Sequence, residues 1–322
     1  MTALGQPERA GVQDAGMLEG ARETTPTRRR RGFVEAVVAA LRPKQWLKNL
    51  LVFAVPLSAG RLIERDVFDD TVLAFLCFCG AASATYLVND IIDRDADRLH
   101  PKKSRRPFAA GELPVAFGLG LAAVLIVVSL VVAALSTYPM LLVVLIAYVV
   151  STLAYSLGLK NEPVLELALL AGGFVLRAIA GGAASGITIS PWFLTVAAFG
   201  SLFMAAGKRY SEITRLGDDA GLMRPALSGY TPSYLRFVWS LSATVLVTAY
   251  CLWAFQVGSK VVNVFPFAGL SVVPFVLAVL RYALDIDRGG AGAPEDIALK
   301  DRMLLGLALA WLILFGLGAL GI

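Results

Sequence analysis

Apolar stretches close to twenty residues long recur along this chain and limit its fold more than any other feature. Apolar residues make up 57% of the 322 residues, and charged residues only 16%. About twenty apolar residues are needed for an α-helix to cross a bilayer. The pattern therefore predicts an all-α polytopic membrane protein, with nine candidate spans at residues 45–60, 67–92, 114–135, 138–158, 164–184, 190–207, 233–256, 263–284 and 303–321.

The distribution of basic residues orients these spans. With the N-terminus in the cytoplasm, nine crossings leave the C-terminus outside. Of the 29 Lys and Arg residues, all but Arg61, Arg65, Lys260 and the intramembrane Arg177 then lie on the cytoplasmic side. The positive-inside rule requires this asymmetry. Because the long charged loops also face the cytoplasm, we expect the functional site there.

Composition divides the chain into three regions. Residues 1–32 lack apolar periodicity and end in four arginines, which predicts a disordered basic tail that orients the protein and contacts anionic lipids. Residues 33–44 are predicted to form an amphipathic juxtamembrane helix. Residues 45–322 form the predicted transmembrane domain.

An acidic motif follows the second predicted span. Residues 89–97 read NDIIDRDAD, and basic residues follow at once. On a helix, Asn89, Asp93 and Asp97 share one face with Asp90 close by, and their oxygens are hard ligands of the kind that Mg²⁺ prefers. A solvated helix end with ordinary charges is the alternative. The motif predicts a magnesium diphosphate site, since acid this dense at a membrane boundary is expensive unless a cation binds it.

A second charged segment follows the sixth predicted span. Lys208, Glu212 and Arg215 fall on one helical stripe, and Arg209 lies beside them. This mainly basic face suits phosphate binding more than metal binding. The alternative is a cytoplasmic flank with a simple Lys208–Glu212 pair.

Arg177 lies in the middle of the fifth predicted span. An intramembrane Arg is expensive and usually faces a cavity or a partner. We expect it to contact an anionic group inside the bundle, and the alternative is a purely structural pair with Glu166 or another acid. The chain has one histidine, His100, so a zinc site or a histidine-based triad is not expected.

These residues resemble the UbiA superfamily of intramembrane prenyltransferases. Asn89, Asp90, Asp93 and Asp97 match its NDxxDxxxD motif, residues 105–111 (RRPFAAG) resemble its RPLxSG loop, and residues 41–49 (LRPKQWLKN) resemble the start of its first helix. The resemblance covers residues 40 to 320. It implies a nine-transmembrane-helix UbiA-type bundle with a cytoplasmic polar cap, a central cavity and a side opening for a lipid chain.

One departure from the family pattern narrows the expected substrates. Most members carry KDxxD after helix six, whereas residues 208–212 read KRYSE. A more basic site suggests a more anionic substrate pair. The pattern resembles the branch of the superfamily that transfers a phosphoribosyl group from phosphoribosyl pyrophosphate to decaprenyl (polyprenyl) phosphate, which implies a pentosyltransferase of the bacterial inner membrane that supplies arabinan cell-wall precursors.

The resemblance implies roles for particular residues. Asn89, Asp90, Asp93 and Asp97 would be the catalytic, Mg²⁺-holding set. The candidate substrate-binding residues are Lys48, Tyr86, Lys103, Arg105, Arg106, Tyr155, Lys160, Arg177, Lys208, Arg209 and Glu212. Nucleic acid is not an expected partner, and a homo-oligomer is left open. The competing interpretations are an ordinary UbiA prenyltransferase, which joins a polyprenyl diphosphate to an aromatic acceptor, and a transporter.

Overall fold

The computed structural model describes residues 31–100, 102–217, 225–258, 266–290 and 301–320, and within these ranges the chain is all-α, without β-strands. The predicted disordered tail lies almost entirely outside the described residues. The α-helices are α1 (Phe33–Leu41), α2 (Ala54–Ser58), α3 (Arg65–Ile92), α4 (Arg94–Leu99), α5 (Val115–Ala134), α6 (Met140–Leu157), α7 (Leu165–Ser185), α8 (Pro191–Leu216), α9 (Pro232–Gly258), α10 (Phe267–Leu270), α11 (Val272–Asp287) and α12 (Arg302–Leu320). Short 3-10 helices occupy Lys103–Arg105, Leu159–Asn161 and Pro225–Gly229, and a longer one occupies Pro43–Phe53.

Seven helical segments in the described residues are long and apolar enough to cross a membrane: α3, α5, α6, α7, α9, the α10–α11 pair and α12. The polytopic all-α prediction is therefore confirmed, while the count of nine spans stays a prediction. The sixth predicted span is a continuous helix, α8, whose last turns carry Lys208, Arg209 and Glu212.

The first predicted span is not a regular α-helix. Residues 43–53 form a 3-10 helix that continues directly into α2. A 3-10 helix rises about 2.0 Å per residue and an α-helix about 1.5 Å. The sixteen residues 43–58 therefore extend about 30 Å, which matches the hydrocarbon thickness of a bilayer.

Close packing places this 3-10 segment against α7. A Cβ atom on Gly181 would lie 1.9 Å from the backbone oxygen of Val52, so only glycine permits this approach. Small residues at helix contacts are the usual means of bringing backbones together in membranes. The contact brings the polar side chains of the 3-10 segment, Lys48 and Asn49, to the face of α7 that carries Arg177.

The remaining helices pack in two groups that share α7. Helices α3, α5 and α6 pack with one another around a cluster that includes Phe78, Leu145 and Tyr148, and α3 and α6 also pack against α7. Helices α8, α9 and α11 form the second group, around Phe203, Leu235 and Ile286. The C-terminal ends of α3, α6 and α8 and the N-terminal end of α7 carry the charged candidates, and contacts between their side chains bring these ends together.

Helix α1 lies in the segment 33–44 that the sequence predicts to be juxtamembrane, and it ends three residues before the predicted bound because Pro43 begins the 3-10 helix. Ala36 and Ala40 are buried, while Phe33, Val34 and Val38 are exposed. An exposed apolar face beside buried alanines suits a helix at a membrane surface. Its placement on the inner leaflet stays a prediction.

Candidate active site at the charged end of the bundle

The acidic motif begins on the last turn of α3 and continues into α4. Asp93 separates the two helices, but its N–H donates to Asn89 O at 2.9 Å, and Asp97 N–H donates to Asp93 O at 2.8 Å. These bonds preserve helical spacing across the break. The four side chains therefore form two pairs, with Asn89 Nδ2 donating to Asp93 Oδ2 at 3.2 Å, and Asp90 and Asp97 meeting at a shared partner.

That shared partner is Arg106. Its Nη1 lies 3.0 Å from Asp90 Oδ1 and 2.7 Å from Asp97 Oδ2. Asp90 and Asp97 are 1% and 3% exposed. Burial raises the pKa of the Asp97 carboxyl, while Arg106 and the nearby Lys103 act in the opposite direction. One cationic nitrogen thus contacts two buried carboxylates from different turns of the motif.

Two further basic residues from distant segments reach the motif. Arg42 Nη2 lies 2.5 and 2.8 Å from the two oxygens of Asp90. Lys160 Nζ lies 2.5 Å from Asp93 Oδ1. The guanidinium of Arg42 also lies over the ring of Tyr86, 5.0 Å from its centroid. The structure therefore joins the sequence-predicted Tyr86, Arg106 and Lys160 to the acidic motif.

The donor set fits a magnesium ion that binds together with substrate phosphates. Among the described residues, no three His, Cys, Asp or Glu side chains lie close enough to form a metal site by themselves. Magnesium is commonly held by one or two carboxylates, with water and phosphate oxygens completing its shell. Asp90 and Asp97 already converge on one cation, Arg106, so they can supply two such ligands.

The second charged segment has a different arrangement from the one the sequence suggested. Arg209 is 2% exposed and donates to Glu166 through Nε at 2.8 Å and also through Nη2. Its Nη1 donates to Glu212 Oε2 at 2.6 Å. Two carboxylates therefore neutralise this guanidinium, and a substrate phosphate would have to compete with them. Tyr155 lies near the same group.

Arg177 has no acidic partner within the described residues. The structural alternative that paired it with Glu166 is wrong, because Glu166 binds Arg209. Arg177 instead donates to Asn49 Oδ1 and the Tyr148 hydroxyl, both at 2.7 Å, and to Gly173 O at 2.9 Å.

The loop between α6 and α7 connects the two charged clusters. Lys160 contacts Asp93 at one end of this loop, and Glu166 contacts Arg209 just beyond the other end. Between them, Val164 has φ 67° and ψ −51°, which closes a γ-turn with Leu165 N–H donating to Pro163 O at 2.8 Å. A β-branched residue at positive φ is strained, and Tyr230 stabilises the turn by accepting from Val164 N–H at 2.7 Å.

Other predicted site residues are less closely joined to the motif. Arg105 is exposed. Its backbone N–H donates to Lys102 O at 3.4 Å and its carbonyl oxygen accepts from Arg31 Nη1 at 3.3 Å, while its guanidinium forms no hydrogen bond or ion pair with other described residues. Lys208 is half-buried on α8. Lys48 Nζ lies 5.9 Å from the ring centroid of Phe174, and the Arg177 guanidinium lies 5.5 Å from the same centroid.

His100 has a structural role in the loop after α4. Its Nδ1 accepts from the backbone N–H groups of Lys102 and Lys103, at 3.1 and 3.2 Å. An accepting Nδ1 requires an unprotonated nitrogen. Burial, followed by the charge of Lys103, lowers the pKa of His100, which is consistent with a neutral imidazole.

Sequence reasoning missed Arg42, Asn49 and Tyr148 as site residues. Arg42 precedes Pro43, and a basic residue at a proline break between two helices was the available signal. Asn49 and Tyr148 are polar groups within predicted spans, and such groups are candidates for internal hydrogen bonds.

Comparison with known proteins identifies similar sequences over most of the chain. The chain is 48% identical to the decaprenyl-phosphate phosphoribosyltransferase of Corynebacterium glutamicum over 284 residues, which cover 87% of this chain and 86% of that protein. It is 48% identical to the protein of the same name from Mycolicibacterium smegmatis over 292 residues, covering 88% and 92% of the two chains.

Solved structures with the same fold have much lower sequence identity. A UbiA homolog from Archaeoglobus fulgidus bound to DMAPP and Mg²⁺ superimposes with a TM-score of 0.68 at 20% identity, covering 89% of this chain and 99% of that one. The same homolog bound to GPP and Mg²⁺ gives a TM-score of 0.67. The model of the UbiA prenyltransferase family matches residues 52–294, and with 48% identity to full-length relatives this shows that the chain belongs to the UbiA prenyltransferase family.

Proposed function

We propose that this protein transfers the 5-phosphoribosyl group of phosphoribosyl pyrophosphate to decaprenyl phosphate, or to a similar polyprenyl phosphate, and releases diphosphate. Similarity to two proteins named decaprenyl-phosphate phosphoribosyltransferase, along most of their length, supports this choice. The lipid product would serve arabinan cell-wall synthesis. One observation carries the proposal. Three basic residues from separate segments, Arg42, Arg106 and Lys160, form ion pairs with the carboxylates of a single acidic motif.

Asp90 and Asp97 would hold Mg²⁺, with Asn89 and Asp93 beside them. When bound, the metal would neutralise charge on the diphosphate group of the donor and so favour its departure. The UbiA homolog structures bound to GPP or DMAPP and Mg²⁺ support a metal-dependent family. The donor diphosphate would then lie at the junction of α3 and α4.

The basic residues that contact the carboxylates would act on the diphosphate. Arg106 and Arg42 donate to Asp90, and Lys160 donates to Asp93. A diphosphate carries more charge than these carboxylates and offers more acceptor oxygens. When the donor is bound, these guanidinium and ammonium groups would donate to the diphosphate oxygens instead. The resulting charge-assisted hydrogen bonds would strengthen as negative charge accumulates on the leaving group.

The transfer itself requires no proton removal by the protein. An oxygen of the acceptor phosphate forms a bond to C1 of the ribose as the bond from C1 to the diphosphate oxygen breaks, and the diphosphate keeps the electron pair. Positive charge develops on the ribose, as in other glycosyl transfers. A phosphate monoester is largely ionised near neutral pH, since its second pKa is about 6. This fits a site whose nearby histidine, His100, is occupied by backbone donors.

A transfer assay tests the proposal directly. The purified full-length protein is incubated with Mg²⁺, polyprenyl phosphate and phosphoribosyl pyrophosphate labelled in the ribose, and the lipid fraction is analysed by mass spectrometry. We expect label in a polyprenyl-phosphoryl-5-phosphoribose. Product from a polyprenyl diphosphate and an aromatic acceptor, without ribose transfer, would instead establish ordinary prenyl transfer. Ion flux without any lipid product would establish a transporter.

A further inference from the structure

Arg177 is a buried cation whose partners among the described residues are all neutral. It is 6% exposed, and its three hydrogen bonds go to an amide, a phenol and a backbone carbonyl, on Asn49, Tyr148 and Gly173. Within the described parts of the chain, no carboxylate lies within ion-pair distance of its guanidinium. A charge at this depth is costly without a counter-ion. The guanidinium therefore has hydrogen-bond acceptors, but its positive charge has no counter-ion among the described residues.

The guanidinium also keeps donor capacity. Arginine has five N–H groups, and three of them are used here, one on each nitrogen. The remaining two, on Nη1 and Nη2, form a fork of the kind that binds phosphate oxygens. Gly173 leaves space beside it, because a Cβ atom there would lie 3.4 Å from Arg177 Nη1.

Arg209 shows the opposite arrangement in the same bundle. It is buried to a similar degree, but Glu166 and Glu212 neutralise it and take donors from all three of its nitrogens. These hydrogen bonds position the two carboxylates and link α7 to α8. Of the two arginines that are buried in the described part of the chain, only Arg177 has a charge that a substrate anion would compensate.

The position of Arg177 relative to the acidic motif limits which substrate anion can bind to it. The Tyr148 hydroxyl that accepts from Arg177 also contacts Thr85 on α3. Thr85 precedes Asp90 by five residues, which is about 7.5 Å along the helix axis. This axial rise, from the turn of α3 that contacts Tyr148 to the turn that carries Asp90, is comparable to the length of a pentose that carries phosphate groups at C1 and C5. Tyr86, next to Thr85, lies under the guanidinium of Arg42, which contacts Asp90.

We propose that Arg177, supported by Lys48, forms the subsite for the terminal 5-phosphate of the sugar donor. This rests on the proposed function. The group is enclosed by the 3-10 segment, α6 and α7, which suits a small terminal phosphate, whereas the acceptor phosphate carries a long chain that must reach the lipid. The cationic side chains of Lys48 and Arg177 both lie near the Phe174 ring, at 5.9 and 5.5 Å from its centroid. The donor thereby spans from the acidic motif to Arg177.

Two inhibitors that represent the two ends of the donor test this subsite. Ribose 5-phosphate carries the terminal phosphate, and diphosphate carries the leaving group. Their inhibition constants against phosphoribosyl pyrophosphate are measured for the wild-type protein, for Arg177→Gln and for Arg177→Lys. Arg236→Gln is the matched control, because Arg236 also contacts a tyrosine, Tyr210, but is exposed.

We expect Arg177→Gln to raise the inhibition constant of ribose 5-phosphate at least about 10-fold, which is the loss of one charged hydrogen bond. The constant for diphosphate should stay within about threefold. Arg177→Lys should give an intermediate value, since it keeps the charge without the fork. Arg236→Gln should change neither constant.

Three results would overturn the subsite. The first is an unchanged ribose 5-phosphate constant in folded Arg177→Gln and Arg177→Lys proteins. The second is an equal rise for both inhibitors. The third is a raised KM for polyprenyl phosphate with both inhibitor constants unchanged, which would assign Arg177 to the acceptor. All three results are read against turnover of phosphoribosyl pyrophosphate by the wild-type protein. If the wild-type protein shows no such turnover, the proposed function itself fails, and the subsite fails with it.

Discussion

A single guanidinium nitrogen of Arg42 lies within hydrogen-bonding distance of both carboxylate oxygens of Asp90, at 2.5 and 2.8 Å. Arg42 achieves this from a left-handed backbone conformation, with φ 54° and ψ 56°. Such a conformation is unfavourable for a residue with a side chain and persists where the surroundings enforce it. The first membrane segment is thereby attached to the acidic motif through a strained residue at its start.

Removing this guanidinium should make the protein depend more strongly on magnesium for its stability. Arg42→Gln leaves the buried Asp90 with Arg106 as its remaining cationic partner, which should cost on the order of 1–3 kcal/mol without metal. A metal that binds Asp90 replaces the lost charge, and ligand binding to the folded state raises its stability. Thermal unfolding with and without Mg²⁺ should therefore show a larger magnesium-induced rise in Tm for the variant than for wild type.

The variant Arg42→Gly separates the effect of the lost charge from the effect of backbone strain. Glycine relaxes the left-handed conformation but removes the same guanidinium. We expect it to show the same enlarged magnesium effect as Arg42→Gln. Equal magnesium-induced shifts in wild type and both variants would mean that no metal binds next to Asp90.

Asp93 should be essential for turnover, and Asp95 should not be. Asp93→Ala removes a carboxylate beside the proposed metal and frees Lys160, which should lower the transfer rate by about 100-fold or more with the fold intact. Asp95 lies two residues further on, is exposed and pairs only with Arg94 and Arg98 among the described residues. Asp95→Ala should keep a near-wild-type rate in the labelled-ribose assay. Comparable rates for the two variants would remove Asp93 from the site.

The sequence was sufficient to locate the acidic motif because its signal is local. A helix period of 3.6 residues relates Asn89, Asp90, Asp93 and Asp97 without any knowledge of distant contacts. The expected end of the second span at residue 92 coincides with the end of α3 at Ile92. Arg106 was found for the same reason, since it closely follows the motif in the chain.

The partners of the buried charges could not be predicted in this way. Glu166 and Arg177 lie on one helix, but their side chains turn to different neighbours, α8 and the 3-10 segment. Which neighbour each one meets depends on close packing, such as that at Gly181. The 3-10 form of residues 43–53 is likewise set by tertiary contacts, because hydrophobic periodicity does not separate a short 3-10 helix from an α-helix.

The triad of Arg209, Glu166 and Glu212 should contribute to stability more than to donor binding. Arg209→Gln leaves Glu166 fully buried without its cation, and breaking a buried pair in this way costs about 3–5 kcal/mol. The double variant Arg209→Gln with Glu166→Gln removes both charges and should recover part of the loss. Thermal unfolding of the wild type and of the single and double variants measures this coupling. If the double variant is less stable than Arg209→Gln, the pair does not act as a neutralised unit.

The two ends of α3 should lie on opposite sides of the membrane, with the motif on the cytoplasmic side. Glu64 immediately precedes α3 and Asp95 follows it, and both are exposed. Single cysteines at these positions, in a variant without Cys77, Cys79 and Cys251, can be labelled with a membrane-impermeant maleimide. In intact cells, Glu64→Cys should react and Asp95→Cys should not, whereas in inside-out vesicles the pattern should reverse. The opposite pattern would contradict the charge asymmetry that orients the spans and would place the acidic motif outside, away from cytoplasmic phosphoribosyl pyrophosphate.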